Sequence, residues 1–282
     1  RSRTMKVLNS EELGTVETAL ESYFPQSLKV YGYIFAINRN KPHTLDVLVD
    51  SWPDFKTVIC RPDSKNERSA DFLNKVTVFS KEAEGLRSVL AEHSAVDWSA
   101  CFMVGGLDVN YATVLKEAAA YRGIRIKLLT VEHLMRLQDP SHLPDLKIDS
   151  DMAARISSLN ESHVGLVNQA WKFGGGEQSF RLINKMISCF PSCCITDDGG
   201  SPISWVLLYD YCALGMLYTA PEHRGKGYAK ILVSTIARRL HAQGYPVYCF
   251  IEEENELSYR LFKGLGFTEA PDYRTSWYEL NY

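Results

Sequence analysis

The sequence predicts an α/β protein in which helices cover a mixed sheet. In the carboxyl half, an apolar run at 213–219 precedes a glycine-rich turn, an amphipathic segment at 228–242 and another apolar run at 246–251. This order of strand, helix and strand predicts a parallel pair. Apolar runs at 193–196 and 203–209 flank the DDGG segment at 197–200, whose turn residues predict an antiparallel hairpin.

The remaining elements follow from the spacing of apolar residues. Further helices are predicted at 10–23, 82–92, 109–121, 161–171, 177–189 and 255–263. Further strands are predicted at 28–38, 46–49, 57–60, 76–79, 124–129 and 276–280. A turn is expected at Gly105-Gly106. The segment 139–151, with two prolines and several polar residues, is the best linker, so we expect domains at 1–145 and 146–282.

The composition favours a globular protein with small-molecule ligands. The 282 residues are 45% hydrophobic and carry a formal charge of −3, enough to bury one sizeable core or two ordinary ones. No apolar run approaches the roughly 18 residues of a membrane span, and the near-neutral charge argues against a nucleic-acid surface. We therefore expect neither a membrane span nor a nucleic-acid partner, and the oligomeric state stays open.

The seven cysteines are odd in number and lie mostly in apolar segments, which favours a reducing, intracellular compartment. Cys189, Cys193 and Cys194 lie close together in the sequence. No second ligand pair follows them at zinc spacing, so we expect buried structural thiols and no metal.

The segment PEHRGKGYA at 221–229 joins a predicted strand to a predicted helix. Gly225 and Gly227 lack Cβ atoms where the backbone must turn, so consecutive amides can face one anion beside the positive end of the helix dipole. The spacing fits neither the nucleotide P-loop nor the dinucleotide fingerprint. What remains is R-x-x-G-x-A, at Arg224, Gly227 and Ala229, which predicts a pyrophosphate site; an ordinary strand-to-helix turn is the alternative.

This motif resembles the coenzyme A motif of the GNAT acyltransferase superfamily. Four other segments, SLKVYG at 27–32, DSWPDF at 50–55, NQAWKFGGGEQ at 168–178 and ISCFPSCC at 187–194, are similar to the glycine N-acyltransferase and glycine N-acyltransferase-like proteins of animals. The resemblance covers nearly the whole chain. It implies a tandem GNAT fold, with a degenerate GNAT-like domain at 1–145 and a GNAT domain at 146–282 that binds acyl-CoA.

The resemblance also implies an activity. An acyl group would pass from acyl-CoA, the cosubstrate, to the amino group of glycine or another amino acid by direct attack in a ternary complex. Most family members are assigned to mitochondria, and the cytoplasm is the alternative. Two other functions stay open: acetyl transfer to another amine or a protein terminus, and a coenzyme-binding module with weakened catalysis.

The superfamily pattern implies which residues bind the coenzyme. The strand before the turn parts from its neighbour, and the pantetheine arm lies in the gap. The second motif, N-x-x-[AS]-x-x-L-[YF], is matched at 255–262. The residues implied in coenzyme binding are Leu217, Tyr218, Thr219, Arg224, Gly225, Lys226, Gly227, Tyr228, Ala229, Asn255, Ser258 and Phe262.

A proton donor for the leaving thiolate is missing from its family position. Many relatives have a tyrosine where this chain has Phe262. Tyr259 lies three residues earlier on the same helical face and is the predicted substitute, with a packing role as the alternative. Water can also protonate a thiolate whose conjugate acid titrates near about 8.5.

The general base is also missing from its family position. The attacking amine must first lose a proton, and the family glutamate that accepts it aligns with Ala213 here. Asp210, His223 and Glu252 are the nearest substitutes. We prefer Glu252, because it ends the strand that flanks the gap.

Overall fold

The computed structural model describes residues 5–63 and 74–282. The helices are α1 (Ser10–Leu20), α2 (Leu28–Asn38), α3 (Ala83–Ala91), α4 (Ala112–Tyr121), α5 (Ser150–Arg155), α6 (Val164–Ala170), α7 (Glu177–Cys189), α8 (Tyr228–Ala242) and α9 (Glu256–Gly264). The strands are β1 (Lys6–Val7), β2 (Leu45–Val49), β3 (Thr57–Pro62), β4 (Lys75–Ser80), β5 (Phe102–Asp108), β6 (Ile126–Arg136), β7 (Ile156–Ser157), β8 (Cys193–Thr196), β9 (Pro202–Leu208), β10 (Leu214–Thr219), β11 (Tyr248–Glu252) and β12 (Thr275–Leu280).

The chain folds into two compact units. The amino unit comprises the described residues up to Leu134 together with Ala270–Tyr282, and the carboxyl unit comprises Met135–Glu269. These units differ from the predicted domains in two ways: the first unit ends at Leu134 and not at 145, and residues 270–282 belong to the amino unit. The predicted linker at 139–151 lies inside the carboxyl unit, and β12 belongs to the amino unit. Local composition could not show this, because β12 joins its unit by pairing with strands far away in the sequence.

The amino unit contains a mixed sheet in the order β1-β2-β3-β4-β5-β12-β6. Strands β4 and β5 are parallel, and β12 pairs antiparallel with both β5 and β6. Helices α3 and α4 contribute Leu86 and Leu115 to a buried core that includes Phe102 and Leu107 of β5. The last strand of the chain therefore completes the core of the first unit.

The carboxyl unit contains a sheet in the order β11-β10-β9-β8-β7. The predicted hairpin is confirmed, because β8 and β9 pair antiparallel around the 197–200 turn. The predicted parallel pair of β10 and β11 is also confirmed. Helices α7 and α8 have the predicted bounds, and α8 buries Leu232, Val233, Ile236 and Leu240 completely.

Two predicted elements of the amino unit are wrong. Residues 28–38 form α2 and not a strand, and nearly all of its side chains are buried. A helix that is apolar on every side shows no 3.6-residue period. The prediction of a strand therefore rested on the β-branched and aromatic residues of this run. Gly105 and Gly106 do not form a turn but lie within β5, and Gly106 takes a φ of +68° where the pairing with β12 shifts register.

The GGG segment between α6 and α7 is a tight turn organised by Asn168. The Oδ1 atom of this side chain accepts hydrogen bonds from the amide of Gly175 at 3.1 Å and the hydroxyl of Ser179 at 2.6 Å. Its Nδ2 donates to the carbonyl of Gly176 at 3.1 Å. A Cβ on Gly174 would lie 2.0 Å from the carbonyl oxygen of Asn168. Only glycine fits at 174 without movement of the backbone.

We expect Gly174→Ala to destabilise the protein by about 1–3 kcal/mol, because overpacking against a backbone atom forces the turn to shift. Gly176→Ala is the matched control, since a Cβ there lies 4.0 Å from its nearest neighbour. Denaturant unfolding measures both variants. Equal stability of the two would contradict this account of the turn.

Candidate active site in the carboxyl unit

The segment between β10 and α8 is a turn with two glycines in the left-handed region. Gly225 has a φ of +78° and Gly227 a φ of +79°. A Cβ on either would meet nothing within 4 Å, so conformation and not space requires glycine here. Gly227 is the N-cap of α8 and has no side chain to satisfy the first amides of the helix.

A run of main-chain amides is therefore open at this turn. Among the residues that the structure describes, the amides from Gly225 to Lys230 donate to no protein acceptor, and the first bond of the helix joins the amide of Ile231 to the carbonyl of Gly227 at 3.3 Å. The run lies at the positive end of the 15-residue helix α8. Consecutive free amides beside a helix N-terminus are suited to bind a phosphate or pyrophosphate.

Basic side chains surround these amides. The Nε of Arg224 donates to the carbonyl of Thr219 at 2.9 Å, and its guanidinium carbon lies 5.7 Å from the ring centre of Tyr218. Lys226 is exposed. The imidazole of His223 stacks on the buried ring of Tyr228, and its buried Nδ1 has no hydrogen-bond partner among the described residues. The positive charge of Arg224 and Lys226 fits an anionic ligand.

Strands β10 and β11 separate beside this turn. Leu214 faces Cys249, and the described strands pair at no later position. On its other edge β10 stays paired with β9, but the register shifts between Gly215 and Tyr218, where Met216 has a φ of +53°. Burial falls at the same point: Leu214 is buried and every later residue of β10 is half-buried.

The predicted main-chain contacts lie on this separated part of β10. Leu217, Tyr218 and Thr219 all follow the last paired residue, Leu214. The ring of Tyr218 stacks on Trp205 of β9 with centres 4.9 Å apart, and Thr219 shares a hydroxyl hydrogen bond of 2.8 Å with Ser204. These contacts hold β10 against β9 while its opposite edge faces the gap.

Helix α9 follows β11 and contains the residues of the second motif. The Oδ1 of Asn255 accepts a hydrogen bond from the amide of Ser258 at 3.2 Å, so Asn255 is an N-cap, the role that sequence reasoning placed beside ligand contact. Phe262 is only 4% exposed and packs edge-on against Phe267 with ring centres 5.0 Å apart. The hydroxyl of Tyr259 donates to Glu269 at 2.6 Å.

Glu252 ends β11 and forms an ion pair. Its Oε1 lies 2.8 Å from the Nζ of Lys172, in the turn between α6 and α7. The other two candidate bases are placed differently: Asp210 lies 3.8 Å from the Nζ of Lys185, and His223 belongs to the glycine turn. Ala213 is 1% exposed and precedes β10, so nothing ionisable occupies the family position of the base.

Sequence reasoning missed two partners in the site. Lys172 lies within the quoted NQAWKFGGGEQ segment, but its sequence separation from Glu252 gave no indication of an ion pair. Glu269, the acceptor for Tyr259, lies in no motif. Both pairings depend on tertiary structure.

The cysteines are all free thiols. Burial, and to a smaller extent the neighbouring Cys193, raises the pKa of Cys194 to about 11, so this thiol stays protonated at neutral pH. In the described part of the chain, no group of three or more His, Cys, Asp or Glu side chains is arranged to hold a metal ion. Nor does any helix within 5–63 and 74–282 have the length and apolar character needed to cross a membrane.

Family comparisons cover almost the whole chain. The family described as aralkyl acyl-CoA:amino acid N-acyltransferase matches residues 5–191, and the family described as FR47-like protein matches residues 195–278. Glycine N-phenylacetyltransferase of Bos taurus is 31% identical over 94% of this chain and 95% of its own. Glycine N-acyltransferase-like protein 1 of Homo sapiens is 31% identical over 93% of each chain.

Solved structures confirm the fold class. A crystal structure of a Drosophila protein matches with a TM-score of 0.78 at 19% identity, covering 98% of both chains. A tandem GNAT protein from the clavulanic acid biosynthesis pathway matches with a TM-score of 0.56 at 14% identity, covering 98% of this chain and 97% of its own. The protein therefore has the GNAT fold in the tandem arrangement. Since the first family match spans more than half of its length, the chain belongs to the aralkyl acyl-CoA:amino acid N-acyltransferase family.

Proposed function

We propose that the protein transfers an acyl group from acyl-CoA to the amino group of glycine or another amino acid. We also propose that it does so in mitochondria, and subcellular fractionation would test this location. The observation that carries the activity is the run of unsatisfied amides from Gly225 to Lys230 at the start of α8. The family and the printed names of its relatives support an amino acid as the acceptor.

In this proposal the coenzyme lies along the separated strands. The amides from Gly225 to Ala229 hold the pyrophosphate, and Arg224 and Lys226 add positive charge. The main chain at 217–219 pairs with the pantetheine arm, in place of the neighbouring strand that has moved away. Asn255 and Ser258 line the start of α9, and Phe262 closes its inner face.

Acyl transfer also needs a base. The acceptor enters as an ammonium ion without a lone pair, so its nitrogen must lose a proton before it can attack the thioester carbonyl. We assign that proton to the carboxylate of Glu252, at the end of the strand that flanks the gap. The Lys172 ammonium, 2.8 Å away, positions this carboxylate. A new C–N bond forms as the C–S bond breaks.

The thiolate that leaves needs a proton. We assign the donor role to Tyr259, whose hydroxyl donates a hydrogen bond to Glu269. Water can share this role, since the conjugate acid of a thiolate titrates at about 8.5.

One specific observation favours a second function. The family positions for base and acid are taken by Ala213 and Phe262, which are 1% and 4% exposed and carry no ionisable group. A module that binds acyl-CoA without transferring the acyl group would have the same coenzyme turn. Release of free coenzyme A, measured with a panel of acyl-CoAs and amino acids, separates the two: amine-dependent release supports transfer, and tight binding without release supports the module.

We expect Gly227→Ala to weaken coenzyme A binding at least tenfold in a calorimetric titration. A side chain is strained at this left-handed φ, so the turn shifts and its amides lose their common direction. Gly244→Ala is a matched control, because Gly244 follows the other end of α8 with the same φ of +79° and equally open surroundings. Equal affinities of the two variants would contradict a phosphate site at this turn.

We expect Glu252→Gln to lower kcat by about 100-fold or more with little change in acyl-CoA affinity, because a positioned base contributes about 10²–10⁴-fold. In the same assay Tyr259→Phe should lower kcat less, by about tenfold, because water remains as a proton donor. Glu254→Gln, two residues beyond Glu252 and exposed, is the control. A fully active Glu252→Gln variant would remove this residue from the mechanism.

A further inference from the structure

A cavity lies entirely within the amino unit. It has a volume of about 240 Å³. Residues of β4, of β5 and of the segment before β12 line it. The residues important for its chemistry are Tyr23, Ser80, Lys81, Asp108, Tyr111 and Tyr273. We call it the amino-unit cavity.

The amino-unit cavity opens where two parallel strands part. Strands β4 and β5 pair at Val76 and Val104 and, among the described residues, at no later position. Beyond this point, Ser80 of β4 and Asp108 of β5 both line the cavity. Gly106 also lines it, with its left-handed φ of +68° at the shift in register with β12. The opening is therefore built into the sheet.

Tyr273 is a further polar residue that lines this cavity. The residue is 6% exposed. Burial first, and then the negative charge of Asp108, raise the pKa of Tyr273, so its hydroxyl keeps its proton at neutral pH. The neighbouring Tyr111 hydroxyl already donates to the carbonyl of Ser80 at 3.1 Å. A hydroxyl that keeps its proton can donate a hydrogen bond to a ligand in the cavity.

Two opposite charges line the same cavity without pairing. The Nζ of Lys81 lies 4.9 Å from the ring centre of Tyr23 and 4.6 Å from that of Phe55. The Oδ1 of Asp108 accepts a hydrogen bond from the amide of Asn110 at 2.9 Å. Within the described residues no ion pair joins Lys81 to Asp108 or either of them to another side chain. A ligand that carried both charges would satisfy both groups.

The amino-unit cavity does not suit a coenzyme. The turn after β4 leads to α3 through Glu82, an extended N-cap with a φ of −151° whose carboxylate pairs with Lys56 at 2.8 Å. This turn consists of Lys81 and Glu82 and lacks the two glycines that leave consecutive amides open at the start of α8. The volume is also below the roughly 300–1,000 Å³ of sites for drug-sized ligands, so a molecule of amino-acid size fits better.

We infer that the amino-unit cavity binds a free α-amino acid. Lys81 pairs with its carboxylate and Asp108 with its ammonium group, while Tyr273 donates a hydrogen bond. The side chain of the ligand lies against the aromatic rings of Tyr23 and Tyr111. This inference goes beyond the proposed acyl transfer, whose residues all belong to the carboxyl unit, and it survives if that proposal fails.

The test is a calorimetric titration of the full chain, without acyl-CoA, with L-phenylalanine and two analogues that lack one charge, 3-phenylpropionate and phenethylamine. L-Phenylalanine should bind at least tenfold more tightly than either analogue. Asp108→Asn should weaken its binding at least tenfold, since asparagine keeps the local cap but loses the charge. Asp97→Asn is the matched control, because Asp97 accepts from the amide of Ser99 at 3.1 Å in the same local geometry outside the cavity.

Lys81→Met is a second variant, and it leaves the Asp108 cap unchanged. It should also weaken the binding of L-phenylalanine at least tenfold. Circular dichroism shows whether each variant is folded. The inference is overturned if the wild type shows no binding at about 10 mM, a concentration that would detect even weak sites. It is also overturned if either folded cavity variant binds L-phenylalanine as tightly as Asp97→Asn does.

Discussion

The candidate active site depends on a single interruption of main-chain pairing, beyond the point where Leu214 of β10 faces Cys249 of β11. Buried backbone groups without partners cost about 1–3 kcal/mol each, so such a gap is stable only where water or a ligand satisfies them. The bulge at Met216 holds β10 away from its neighbour, and the stacking of Tyr218 on Trp205 anchors it to β9. The gap is thus a feature of the sheet and does not require a flexible loop.

The two units use the same strand geometry with different turn chemistry. In each, a parallel pair joined by a helix separates after its first residues: β4 and β5 in the amino unit, β10 and β11 in the carboxyl unit. The turn after β10 contains Gly225 and Gly227 in the left-handed region, and the turn after β4 contains Glu82. The first turn offers main-chain amides to a phosphate, and the second has no such run of glycines. A shared fold therefore supports two kinds of ligand site.

Much of the carboxyl unit could be predicted from local signals. The bounds of α8 follow from an amphipathic period between Gly227 and Gly244, and the glycine turn follows from backbone chemistry. The helix α2 could not be predicted, because a helix that is buried on every side has no 3.6-residue alternation of apolar and polar residues. The pairs of Lys172 with Glu252 and of Tyr259 with Glu269 join residues that only the folded chain brings together. Local signals therefore predict the candidate site, but they do not predict the partners of its acid–base groups.

The central claim is that main-chain amides at the start of α8 bind the phosphates of coenzyme A. A crystal structure of the protein with an acyl-CoA tests it most directly. We expect pyrophosphate oxygens within about 3.2 Å of amide nitrogens between Gly225 and Ala229, with the thioester arm between β10 and β11. Coenzyme density at Gly105 and Gly106 of the amino unit, with the amides of α8 facing only water, would contradict the account.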